Sequence, residues 1–259
     1  MACVGLFLAR GWVRHRVPIF GVAQADEEPS DAGLPAVCAT GLEGIAGGGC
    51  FSAPESPGPW PLVLYLHGIY DPAAATEELD RQARVAELGK ARGFAVLALT
   101  GHVGECSAPE YAARICWPSN EHNEGDAPAF VAEWNTPLAA AANRGASIER
   151  YVLGFSNGGY FAGLLAERAL FDADAFVIAR GGPVMPVKAS GQKVPLLLSM
   201  SEDDPSYEEM QRLDTELTQA EWPHERYAAH GGHALPNGDI TAALEFFSNQ
   251  KKAGGARSH

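Results

Sequence analysis

No run in this 259-residue chain approaches the roughly 20 consecutive apolar residues that a membrane span needs. Positive charge is scarce: 19 Lys and Arg stand against 32 Asp and Glu, a formal net charge of −13. Such a field repels phosphate backbones and anionic lipid, and no basic stripe offsets it, which argues against nucleic acid as a partner. C-x-x-C pairs are absent, and no cysteine has a neighbouring histidine at zinc spacing. Phosphate-binding P-loops, dinucleotide-binding glycine fingerprints and zinc-protease helices are absent too, so neither a metal nor a cofactor is expected. No internal repeat or heptad appears. What is present is 46% hydrophobic residues, enough for a sizeable core, in a length that α/β proteins commonly fold as one domain.

The first 25 residues stand apart. Two short apolar stretches are interrupted by Arg10, Arg14, His15 and Arg16, and the second runs into Ala23-Gln24-Ala25, a small-residue cleavage pattern ahead of acidic Asp26-Glu27-Glu28. Read as a leader, this segment predicts a secreted or periplasmic mature protein covering residues 26–259. The alternatives are a plain N-terminal extension and a cytoplasmic protein. Removing the leader would discard Cys3 and leave Cys38, Cys50, Cys106 and Cys116. Four cysteines permit three pairings; Cys38 with Cys50 and Cys106 with Cys116 is the most economical, and two stapled loops suit an oxidising compartment. Four reduced thiols in a cytosolic enzyme is the competing reading.

From Pro61 onward the pattern is regular. Short, nearly continuous apolar runs at 62–66, 94–99, 151–155, 175–178 and 194–198 have the character of strands buried on both faces. Between them, 76–92, 129–143, 158–170 and 206–221 read as helices. An edge strand is expected near 49–52, a last strand at 226–229, a closing helix near 239–248 and a fraying polar tail from Lys251. Strand alternating with helix predicts an α/β fold, a mostly parallel central sheet with helices on both faces.

The stretch with most chemical content is Gly154-Phe155-Ser156-Asn157-Gly158-Gly159. An apolar strand precedes it and a helical run follows, the setting in which G-x-S-x-G places a serine on a strained strand-to-helix turn. The turn lifts the hydroxyl out of the sheet and over a helix N-terminus, where free N–H groups favour developing negative charge. A serine nucleophile also needs a base and a carboxylate to orient it. Open parallel sheets carry such groups on loops beyond the carboxyl ends of the strands. Ser201-Glu202-Asp203-Asp204-Pro205 and His230-Gly231-Gly232-His233 both follow predicted strands, giving the chain order Ser, Asp, His.

With these residues in view, the chain resembles serine esterases of the α/β-hydrolase superfamily over about residues 60–250. Gly154-Phe155-Ser156-Asn157-Gly158-Gly159-Tyr160, Leu66-His67-Gly68 and Asp126-Ala127-Pro128-Ala129-Phe130-Val131 are similar to the branch containing polyhydroxyalkanoate depolymerases and feruloyl esterases. The resemblance implies an α/β-hydrolase fold and carboxylic ester hydrolysis on a small or polymeric ester. It puts the base at the His of a Gly-His, His233, and the acid at the Asp of an Asp-Pro, Asp204. Asp203 and His230 are the rivals. The oxyanion hole is expected from the backbone N–H groups of Asn157 and Ile69, with Tyr70 the alternative to Ile69. Tyr70, Trp117 and Tyr160 are candidates to bind substrate, Trp117 being equally open to a place in the core. His67 is expected to orient backbone by hydrogen bonding, and His102, His122 and His224 to lie on loops or the surface. The same three side chains would also serve another acyl transfer, and a non-catalytic binding protein on this fold is the more distant alternative.

Overall fold

The structure is a computed structural model, and it describes residues 37–255 apart from 107, 185 and 188–192. The expected leader, its cleavage pattern and Cys3 lie outside the described residues, as do residues 26–36.

The apolar runs form one eight-stranded sheet. Its strands are β1 (Glu43–Ile45), β2 (Gly49–Ser52), β3 (Trp60–Leu66), β4 (Ala95–Leu99), β7 (Ala146–Phe155), β8 (Ala175–Ala179), β9 (Leu196–Met200) and β10 (His224–Ala228). They lie in the order β1-β2-β4-β3-β7-β8-β9-β10. From β4 through β10 every pairing is parallel, while β1 and β2 add an antiparallel edge. The expected edge strand at 49–52 is therefore covered by β1. β5 (His102–Val103) and β6 (Ile115–Cys116) make a separate small hairpin that the sequence pattern did not signal.

Alternation along β3 explains how both faces are sealed. Leu62, Leu64 and Leu66 point to one side, where they join a cluster with Phe130, Trp134, Leu138, Phe161, Leu165, Met210 and Leu213. Apart from Trp134, which joins the first two, those residues belong to α2 (Ala127–Glu133), α3 (Asn135–Asn143), α4 (Asn157–Glu167) and α5 (Tyr207–Gln219). Val63 and Tyr65 face the other way and pack with residues of α1 (Thr76–Ala91) and α6 (Asn237–Gly255), Val85, Ile240, Leu244 and Phe247 among them. Side chains two apart share a face, so a continuous apolar strand serves two cores at once.

Two expectations need correction. The helix predicted over 129–143 is two helices meeting at Trp134, because Pro137 has no N–H to give to Glu133 and the chain resumes with Leu138 N bonded to Trp134 O at 2.9 Å. The tail predicted from Lys251 instead continues α6 as far as Gly255; Lys-Lys-Ala holds good helix formers, and the next glycine sits at the end.

The strand order reverses between β3 and β7. β3 is followed by its neighbour β4 on one side, and the chain then returns to lay β7 on the other. Ligand crevices in open parallel sheets form at such a switch point, beyond the carboxyl ends of the strands.

Candidate active site

Ser156 sits at that switch point, between the last residue of β7 and the first of α4. Its backbone has φ 55° and ψ −121°, a conformation that costs a non-glycine residue free energy. Its N–H donates to Ala179 O at 2.8 Å, which fixes the turn to β8. The flanking glycines are needed for space: a Cβ on Gly154 would lie 2.1 Å from Gly158 O, and one on Gly158 would lie 2.2 Å from Leu66 O. The helix therefore starts almost in contact with β3 and β7, and the serine is levered outward.

The three predicted side chains meet. Ser156 Oγ lies 2.8 Å from His233 Nε2, and His233 Nδ1 lies 2.9 Å from Asp204 Oδ2. A carboxylate only accepts, so His233 donates from Nδ1, leaving Nε2 to accept from the serine hydroxyl. Asp204 is buried with 1% of its side chain exposed, whereas 44% of the His233 side chain is open to solvent. The other carboxylate oxygen, Oδ1, accepts from Ser206 N at 2.7 Å and Ser206 Oγ at 2.6 Å. Asp203 is exposed and turns away; its Oδ1 accepts from Ser201 Oγ, which holds the carboxyl below its ordinary range. His230 is exposed as well and contributes a carbonyl rather than its ring.

The loop after β3 closes on the serine. Gly68 approaches so nearly that a Cβ there would stand 3.1 Å from Ser156 Cβ and 3.2 Å from Phe155 Cδ1. Its role is close approach, which a side chain would crowd. Tyr70 N donates to Ile115 O at 3.5 Å and Tyr70 O accepts from Ile115 N at 3.0 Å. That occupies the alternative donor, while among the described residues no protein acceptor takes the backbone N–H of Ile69 or Asn157.

His67 is fully buried and holds this loop. Gly101 N donates to its Nε2 at 2.9 Å, so Nδ1 carries the proton and donates to Gly68 O at 2.7 Å. Burial pushes its pKa down to about 4, keeping it neutral. The His67 carbonyl accepts from Gly158 N at 3.0 Å and Trp117 Nε1 at 2.9 Å.

Trp117 is the clearest correction. It has no exposed surface and stacks on Phe161 with ring centroids 5.5 Å apart, so it cannot line a pocket in this conformation. Its large apolar area and single N–H donor are both satisfied inside. Its backbone N–H, however, donates to Asn157 Oδ1 at 2.7 Å, and Asn157 Nδ2 donates to Ser119 Oγ at 2.5 Å. The segment after the hairpin thus grips the side chain of the residue next to Ser156. Cys106 and Cys116 are bonded to each other across that hairpin, and Cys38, ahead of β1, is bonded to Cys50 of β2.

Tyr70 and Tyr160 are both partly exposed. Tyr70 stands edge-on to His67, and burial with nearby Glu78 pushes its hydroxyl up to about 12. Tyr160 donates to Glu209 Oε2. Glu78, buried in α1 beside Tyr65 and Arg81, is pushed up to about 7 by burial. Among the described residues no cluster of His, Cys, Asp and Glu is arranged to hold a metal ion, and no helix is long and apolar enough to cross a membrane.

Sequence reasoning missed two residues that the structure brings to these side chains: Ser119, bonded to Asn157, and Arg180, whose Nε lies 3.6 Å from Asp204 Oδ2. Ser119 carries no signal in a loop of small polar residues. Arg180 does: a lone arginine directly ending the buried run Ala175-Phe176-Val177-Ile178-Ala179 needs a buried anion to receive it.

No family model matches the chain, and no curated protein matches it. Solved structures do. The Bacillus cereus carboxylesterase superposes with a TM-score of 0.58 at 19% identity, covering 78% of this chain and 93% of its own. Arabidopsis thaliana SOBER1 gives 0.59 at 16% identity over 74% and 99%. A truncated carbohydrate esterase from gut microbiota gives 0.58 at 14% identity over 79% and 91%. At such identities the likeness speaks to architecture, and the architecture is the α/β-hydrolase fold.

Proposed function

We propose that this chain is a serine carboxylic ester hydrolase working through an acyl-enzyme intermediate, with Ser156 as nucleophile, His233 as base and Asp204 as the acid that orients it. The observation that carries the reading is the unbroken hydrogen-bond line from Ser156 Oγ through His233 to Asp204 Oδ2, at 2.8 and 2.9 Å. The named activities of the carboxylesterase and carbohydrate esterase that share the fold point the same way.

In this mechanism His233 Nε2 takes the hydroxyl proton as Ser156 Oγ attacks the ester carbonyl. The N–H groups of Asn157 and Ile69, which no protein acceptor occupies among the described residues, receive the oxyanion. The imidazolium then gives its proton to the departing alkoxide. Water enters, loses a proton to the same nitrogen and releases the acid, while Asp204 holds the ring and balances its charge. Tyr70, on the loop after β3, and Tyr160, in the first turn of α4, are both partly exposed and are the side chains we assign to substrate contact. We further propose that the protein is exported, because two disulfides suit an oxidising compartment.

Turnover of short aryl esters tests the function. Ser156→Ala should lower kcat by about 10⁴-fold with the fold retained, and a serine-reactive phosphonate should label Ser156 in mass spectrometry. Label on a different serine, or an alanine variant that keeps most of the activity, would refute the assignment. Thioester and amide substrates run alongside identify a different acyl transfer if one dominates. Non-reducing peptide mapping of natively expressed protein tests export; free thiols at all four positions with residues 1–25 retained would refute it.

A further inference from the structure

We infer that Arg180 is a positioning residue for this reaction: its buried guanidinium pins the histidine loop to the acid and governs how strongly the site holds a proton on His233. The inference rests on the roles proposed above for Ser156, His233 and Asp204.

Arg180 directly follows β8, with φ 52° and no exposed surface. A left-handed arginine in a protein interior persists only where its surroundings over-determine it, and here nearly every donor is used. Nε donates to Gly232 O at 3.0 Å and Nη2 to His230 O at 3.5 Å. Nη1 donates to Asp239 Oδ2 at 2.6 Å, to Ser199 Oγ at 2.9 Å and to Ser199 O at 3.2 Å. Asp204 Oδ2, the oxygen that receives His233, lies 3.6 Å from Nε. One planar fork therefore touches β9, the acid, the first turn of α6 and the loop that carries the base. A lysine could not span these partners, since its ammonium is a point donor.

The loop needs such a tie. Gly231 and Gly232 adopt φ 94° and 60°, conformations open to glycine and with little side-chain packing to restrain them. Holding the carbonyls of residues 230 and 232 fixes the chain on the N-terminal side of His233, and with it the angle at which Nε2 meets Ser156.

Charge supplies the second half of the inference. Arg180 is faced by two buried carboxylates, Asp204 and Asp239, so the cluster carries one net negative charge until His233 is protonated. The imidazolium formed during attack brings the sum to zero. Other charged or titratable groups near the cluster are Asp203 and His230 on the adjoining loops, Glu209 with Tyr160 on the far side of Asp204, and Arg81 beyond the Phe155 ring. Asp203, His230 and Glu209 are exposed and screened by solvent. Asp239 is buried and bears on His233 through Arg180, which makes the pair Arg180 and Asp239 a matched set of opposite perturbations.

The test is an NMR titration of the His233 ring in the full chain, with aryl-ester kinetics measured in parallel. Arg180→Met removes the cation and should move the His233 midpoint up by about one pH unit; Asp239→Asn removes an anion and should move it down by a similar amount. The acid limb of kcat/KM should follow in both. Arg180→Lys should leave the midpoint in place and lower kcat about tenfold at unchanged KM, through loss of the two loop carbonyls. Midpoints that stay put, or move in the same direction in both variants, would overturn the inference. If Arg180→Met does not fold, the downward shift in Asp239→Asn decides alone. A wild-type protein without ester turnover or phosphonate uptake would sink the proposed function instead, and the ring titration would still be readable in it.

Discussion

Asp204→Asn is the perturbation whose consequence follows most directly from the geometry. Asp204 Oδ1 is held by two donors, the N–H and hydroxyl of Ser206 at 2.7 and 2.6 Å. An asparagine keeps its carbonyl oxygen there, because an NH₂ group would set donor against donor at the Ser206 N–H. Its Nδ2 is thereby aimed at His233 Nδ1, 2.9 Å from the oxygen it replaces. A donor now faces Nδ1, so that nitrogen must accept and the ring proton moves to Nε2. The nitrogen that should accept from Ser156 then carries a hydrogen, and the base is disabled in its ground state. The cation of Arg180, 3.6 Å from the same position, loses one of its two carboxylate partners as well. Wrong tautomer and missing countercharge together should lower kcat by roughly 10³–10⁴, or about 4–5.5 kcal/mol in the barrier. Asp203→Asn changes an exposed group whose acceptor oxygen an asparagine reproduces, and should stay within about threefold. Steady-state kinetics on an aryl ester, with circular dichroism to check folding, gives both numbers. A larger effect at Asp203, or less than tenfold at Asp204, would show that the acid is misassigned.

Gly158→Ala must push α4 away from β3 by about 1 Å to relieve the 2.2 Å contact with Leu66 O, and should cost roughly 10²-fold in kcat through the displaced serine and Asn157 N–H; Gly93→Ala, where a Cβ meets nothing within 4 Å, should keep full kcat while losing about 1 kcal/mol of stability. Replacing Cys106 and Cys116 together by serine should lower stability by about 2–3 kcal/mol in thermal unfolding and reduce kcat several-fold, because β6 carries Ile115, which holds Tyr70, and leads into Trp117, which holds Asn157. The same change at Cys38 and Cys50 should affect stability alone; the opposite ranking in kcat would refute the clamp. Glu167 is buried with neither carboxylate oxygen hydrogen-bonded and only Arg168 Nη1 near it, at 4.0 Å; burial pushes it up to about 8. The folded protein then binds more protons than the unfolded chain between about pH 4.5 and 8, so stability falls as pH rises through that window. Glu167→Gln should shrink the stability difference between pH 5 and pH 8 by about 2–4 kcal/mol, measured by denaturant titration; an unchanged difference would show that the group is ionised without cost.

Much of this protein is fixed by local sequence. The strands of the parallel sheet are legible as continuous apolar runs because both of their faces are buried, and β3 shows why: alternate residues feed two separate cores. The elbow is legible because a serine between strand and helix is tolerated only with glycine at 154 and 158, a steric demand that leaves a written mark. Asp204 and His233 could be proposed because in a parallel sheet the residues following each strand gather at one edge, whatever their separation along the chain. Side-chain partnership was beyond sequence. Trp117 has the same composition signal as a pocket wall or a core residue, and only the stacking on Phe161 assigns it to the core. Asp203 and Asp204 differ by one position, and the turn held by Ser206 determines which faces His233. Arg180 and Asp239 are 59 residues apart, and their pairing exists only because β8 and the start of α6 end at the same edge of the sheet. Local patterning reports burial and backbone demand, which neighbouring residues encode. The choice of buried polar partner is a long-range match of donors, acceptors and charge, and folding alone brings those groups within reach.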